Sequence, residues 1–71
     1  MTSRELANMV IRENKPCDYG WIRHVYHNQG YKGLKEMAKT TVEVFAPKGA
    51  SKQLVGRATK MVVDELYGLV R

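Results

Sequence analysis

The spacing of apolar residues constrains the fold of this chain more than any other feature. Leu6, Met9 and Val10 follow one another at intervals of three and one near the start, and Leu54 and Ala58 lie four apart near the end. Side chains three and four positions apart share one face of an α-helix. The sequence therefore predicts an all-α fold in which each helix turns an apolar stripe toward a common core.

Prolines and glycines divide this pattern into segments. Pro16, Gly30 and the Pro47–Gly49 region interrupt the helical spacing, and such residues end or break helices. We predict one domain over residues 1–71, a small compact bundle of about four short helices. The predicted helices cover residues 3–14, 18–29, 32–45 and 51–69.

Residues that favour helix ends flank these segments. Thr2 and Glu5 have the spacing of a capping box, in which each side chain bonds to the other residue's backbone N–H. Asp18 and Ser51 are suited to cap the second and fourth helices, and Gly30 is suited to follow the end of the second.

Two variants of this fold stay open from the sequence. The second and third helices are joined by a short Gly-containing turn at residues 28–31, which is the frame of a helix-turn-helix with the third helix in the DNA major groove. Residues 40–45 are rich in β-branched side chains and allow a short strand. That strand would give a winged helix, with the turn after Pro47 as its wing.

The small size of the chain limits both its stability and its chemistry. Seventy-one residues bury a thin core, so a homodimer is a plausible source of further burial. The single cysteine, Cys17, excludes an intrachain disulfide, and with His24 and His27 it falls short of a structural zinc site. We find no catalytic constellation and predict a protein that is not an enzyme and has no metal or other cofactor.

Targeting features also point to a cytoplasmic, intracellular protein. No apolar run approaches the roughly 18 residues that a membrane-spanning helix needs, and no secretory signal precedes the first helix. One cysteine fits a reducing compartment. We expect no membrane association.

The positive charge is concentrated in the middle of the chain. The formal net charge is +5, and residues 23–60 carry eight lysines and arginines against two glutamates. The two ends are nearly neutral. A local excess of this kind favours an acidic partner, either nucleic acid or an acidic protein surface.

Two functions fit this charge distribution. The first is a small nucleic-acid-binding regulatory or accessory protein, with DNA favoured over RNA, that contacts phosphates through its central basic residues. These residues are Arg23, Lys32, Lys35, Lys39, Lys48, Lys52, Arg57 and Lys60. Tyr26 or Tyr31 would add hydroxyl contacts.

The alternative function is a protein-binding module, an inhibitor or adaptor that docks on an acidic surface of a larger protein. Its contact residues would be Trp21, Tyr26 and Phe45, since exposed aromatic side chains dominate many protein interfaces. If these aromatics are instead buried, they pack in the core or at its rim.

Overall fold

Our computed structural model describes residues 1–14 and 19–70, and these residues form three helices. They are α1 (Ser3–Asn14), α2 (Tyr19–Phe45) and α3 (Lys52–Val70). The predicted all-α fold is confirmed, and the bounds of the first helix match the prediction. The predicted count of four is wrong, because the predicted second and third helices run on as one element, α2, which is kinked at Gly30.

A single residue breaks α2. Gly30 has φ 71 and ψ −161, whereas the residues on both sides of it are helical. Only glycine adopts this conformation without strain. The predicted break therefore falls at the expected residue, but the turn over residues 28–31 is reduced to one position. A helix-turn-helix has a turn of three or four residues, and here a single non-helical residue stands in its place, so that variant of the fold stays a prediction.

The β-branched segment at residues 40–45 is helical, and no strand occurs within residues 1–14 and 19–70. The hydroxyls of Thr40 and Thr41 donate hydrogen bonds of 3.0 and 2.9 Å to the carbonyls of Glu36 and Met37. Such bonds to the preceding turn satisfy threonine inside a helix. Val42, which follows these threonines near the end of the helix, is fully buried. The winged-helix alternative is therefore not supported.

The core lies where the three helices meet. Leu6 and Val10 of α1, Leu34 of α2, and Val62 and Leu66 of α3 are among its buried members. Most predicted apolar faces thus point inward.

Val44 lies outside the buried face of α2. Helical spacing over residues 32–45 puts it on the same arc as Leu34 and Phe45, yet its side chain is 74% exposed. Leu34, Ala38 and Val42 form the buried stripe instead. Because a step of four residues slightly exceeds one turn of an α-helix, the buried stripe moves gradually around the helix, toward Val42 and away from Val44.

Side-chain caps fix the starts of α1 and α3. The Glu5 backbone N–H donates to Thr2 Oγ1 at 3.1 Å, and the Thr2 N–H donates to Glu5 Oε1 at 3.0 Å. This is the predicted capping box. The Leu54 N–H donates to Ser51 Oγ at 3.1 Å, as expected for an N-cap. The predicted cap at Asp18 lies outside the described residues.

The capping box predicts a pH-dependent contribution to stability. The hydrogen bond from the Thr2 backbone, followed by that from its hydroxyl, lowers the pKa of Glu5. A lowered pKa stabilises the fold above the unfolded value of about 4.3, and this contribution is lost as the pH falls through the folded pKa. We expect Glu5→Gln, which can still form the box but does not titrate, to lower the free energy of unfolding more at pH 7 than at pH 3. Urea unfolding at both pH values measures this, and parallel pH profiles would contradict it.

Among the described residues, none of the helices combines the length and the apolar character needed to cross a membrane.

Candidate nucleic-acid interface

An open groove of about 850 Å³ runs between α2 and α3. It is lined by residues of both helices and by one residue of the loop that joins them. They are Tyr31, Lys35, Lys39, Glu43, Ala50, Lys52, Val55, Gly56, Thr59, Lys60 and Val63. The lining thus combines lysines with apolar side chains.

Four of the eight predicted basic residues meet at this groove. Lys35 and Lys39 lie one turn apart on α2, and Lys52 and Lys60 lie about two turns apart on α3. All four side chains are exposed. Glu43 is the one acidic residue among the described lining residues, so the groove carries a clear positive excess.

The other four predicted basic residues are exposed but do not line the groove. They are Arg23, Lys32, Lys48 and Arg57. Lys48 lies in the loop between α2 and α3, close in sequence to the groove residue Ala50. The remaining three are on helices, on sides that do not line it. The structure therefore gathers half of the predicted residues along one concave surface.

Tyr31 adds an aromatic ring to the groove. The residue follows the Gly30 break directly, and its side chain is 49% exposed. Its ring contacts Tyr67 of α3 edge to face, with centroids 5.5 Å apart. The sequence suggested a hydroxyl contact for Tyr31 but did not identify its ring as part of the site. Its position beside a helix-breaking glycine is the signal that could have identified it.

The same aromatic cluster extends to Tyr26. The rings of Tyr26 and Tyr67 lie 5.7 Å apart in an edge-to-face arrangement. The side-chain hydrogen bond with Tyr67, followed by burial, raises the pKa of Tyr26. Tyr67 thus contacts both Tyr26 and Tyr31, and the cluster joins the two parts of α2, on either side of Gly30, to the end of α3.

A second, shallow cleft of about 300 Å³ lies along α2. Trp21 lines it together with Val25, Gly33 and Met37, among others, and the Trp21 side chain is 58% exposed. The Trp21 ring stacks on His24 with centroids 5.4 Å apart. Trp21 is therefore not a core residue.

The other two aromatics predicted for protein binding are less accessible. Tyr26 and Phe45 are partly buried and pack against the core. Of the three predicted residues, only Trp21 has more than half of its side-chain surface exposed.

The predicted homodimer stays a prediction.

The histidines show no sign of a metal site. The described residues contain no group of three or more His, Cys, Asp or Glu side chains that could hold a metal ion. The Asn28 side-chain amide donates to the His24 carbonyl at 2.9 Å and lies 3.2 Å from His24 Nδ1. Cys17 lies outside the described residues.

Comparison with known proteins gives no further guide to function. No family model, curated protein or solved structure matches this chain. The functional argument therefore depends on the groove and on the charges around it.

Proposed function

We propose that this protein binds nucleic acid through the groove between α2 and α3 and acts as a regulatory or accessory factor without catalysis. The observation that supports this proposal most is the convergence of Lys35, Lys39, Lys52 and Lys60 on one concave surface. Lysine contacts to phosphates provide most of the affinity of non-specific nucleic-acid binding.

The groove favours backbone contacts over base recognition. Its described lining residues include no Arg, Asn or Gln, three of the side chains that read base edges. Lysines from two packed helices would instead hold successive phosphates and set the position of the strand. We therefore propose binding that is strongly salt-dependent and weakly dependent on sequence.

Salt titration tests this proposal directly. Four lysine–phosphate contacts predict a slope of log K against log salt of about −3 to −4, since each contributes about −0.9 on duplex DNA and −0.7 on single strands. Fluorescence anisotropy with random-sequence DNA and RNA at several salt concentrations measures this slope. An absence of binding at about 50 mM salt, where such contacts are strong, would exclude the proposed function.

A second candidate function is a protein-binding module that docks through Trp21. The exposed Trp21 ring and the cleft beside it favour this alternative, since tryptophan is enriched among residues that dominate interfaces. A nuclease-treated pull-down would then recover a partner with the native chain and lose it with Trp21→Ala. The same partner captured by both chains would count against this surface.

A further inference from the structure

We propose that the groove between α2 and α3 holds a single nucleic-acid strand, with a base stacked on Tyr31 and phosphates on the lysines. This inference rests on the proposed function and makes it more specific. It names the strandedness of the ligand and an aromatic contact that the charge argument does not require.

The mixed character of the groove lining favours a single strand over a duplex. Ala50 and Val55, which are both partly exposed, line the same groove as the four lysines. A duplex presents phosphates outward and keeps the faces of its bases stacked inside, so it would use the lysines and leave the apolar lining unused. A single strand exposes phosphates and base faces together, and proteins bind it with basic grooves that contain aromatic side chains.

Tyr31 is placed and held as a stacking residue would be. It lines the groove with about half of its surface exposed, while the edge-to-face contact with Tyr67 holds the ring. A side chain that is already ordered loses little conformational freedom when a ligand binds. Stacking on a base is therefore available to Tyr31 at a low entropic cost.

The charges along α2 limit the length of the strand. Tyr31 and Glu43 line the groove near opposite ends of the second part of α2, with Lys35 and Lys39 between them. The rise of a helix over these residues is about 18 Å. The Glu43 carboxylate would repel phosphates beyond Lys39. We infer a short site of about four nucleotides, the lower end of the range for single-strand binding domains.

Two variants of Tyr31 test the stacking contact. The probes are labelled oligothymidine and oligouridine twelve nucleotides long, together with a DNA duplex of the same length. We expect both single strands to bind more tightly than the duplex, and Tyr31→Leu to weaken single-strand binding about tenfold, since stacking on one base contributes a factor of this order. Tyr31→Phe keeps the ring and should bind like the native chain. Thermal unfolding of both variants shows whether the loss of the ring contact with Tyr67 destabilises the fold.

Two glycines of α3 test whether the groove itself is the site. Gly56 lines the groove and Gly68 does not, and a Cβ added at either position meets nothing within 4 Å. Gly56→Glu and Gly68→Glu therefore change the net charge equally without overlap. We expect Gly56→Glu to weaken single-strand binding at least tenfold and Gly68→Glu to change it less than twofold.

The outcomes separate this inference from the proposed function. Equal or tighter binding of the duplex, with no effect of Tyr31→Leu and a steep salt slope, would overturn the single-strand inference and leave nucleic-acid binding intact. No binding of any oligonucleotide would overturn both. Binding of polyglutamate that Gly56→Glu abolishes, without binding of oligonucleotides, would assign the groove to an acidic peptide and also overturn both.

Discussion

Replacing Gly30 and Gly33 together with alanine is expected to lower the free energy of unfolding by about 2–6 kcal/mol. Alanine at Gly30 would have to adopt φ 71 and ψ −161, which costs about 1–3 kcal/mol. A Cβ at Gly33 would overlap the Cβ of Gln29 and lie 3.2 Å from Val25 Cγ1, and overpacking of this kind costs about 1–3 kcal/mol. A chain of this size has a total stability of roughly 4–10 kcal/mol, so the double variant approaches complete unfolding.

Urea unfolding followed by circular dichroism measures this loss, and Gly20 and Gly68 supply the matched control. Both lie within helices, and an added Cβ meets nothing within 4 Å at either one. Gly20→Ala with Gly68→Ala should raise stability by about 1–2 kcal/mol, because alanine favours a helix more than glycine does. A Gly30/Gly33 variant as stable as this control would show that α2 does not need the bend.

The bend also determines where the groove residues lie. Tyr31 begins the second part of α2, and Lys35 and Lys39 follow it on one side of that part. Trp21 lies on the first part of α2, and its cleft is lined by residues of both parts, from Val25 to Thr41. A straight helix would change the direction of one part relative to the other. The two glycines therefore connect the fold to both candidate binding surfaces.

Local signals explain which parts of this fold the sequence could predict. The capping box at Thr2 and Glu5 and the N-cap at Ser51 depend on neighbours three residues away, and both form as expected. The consequence of the break at Gly30 is not local. Whether such a residue separates two helices or bends one depends on how both parts of α2 pack against α3.

The candidate site shows the same limit. Counting charges along the sequence identified the basic segment, but it could not distinguish among its eight lysines and arginines. The packing of α2 on α3 determines which of them line the groove, namely Lys35, Lys39, Lys52 and Lys60. Trp21 lies next to the buried Ile22, so its apolar character alone did not reveal its exposure. Helical periodicity predicts the inward face of a helix to within about one residue. Whether a side chain at the edge of that face, such as Val44, is buried depends on tertiary contacts.

Reversing two groove charges should have the largest effect on binding. In the variant with Lys35→Glu and Lys39→Glu, two charge-assisted contacts to phosphate are lost, each contributing about 1.5–3 kcal/mol. We expect the affinity for nucleic acid to fall about 100-fold or more at low salt. The salt slope on a single strand should become shallower by about 1.4, because two phosphate contacts no longer release counterions. Anisotropy titrations over a range of salt concentrations measure both quantities.

The matched control reverses two charges away from the groove. Arg4 and Arg12 are exposed on α1, and Arg4→Glu with Arg12→Glu changes the net charge by the same amount. If the net charge alone attracts nucleic acid, both double variants lose affinity equally, and the groove has no special role. If the groove is the site, the α1 variant keeps most of the affinity and the native salt slope. The comparison therefore decides between a general attraction by a basic protein and a binding surface built by the packing of α2 on α3.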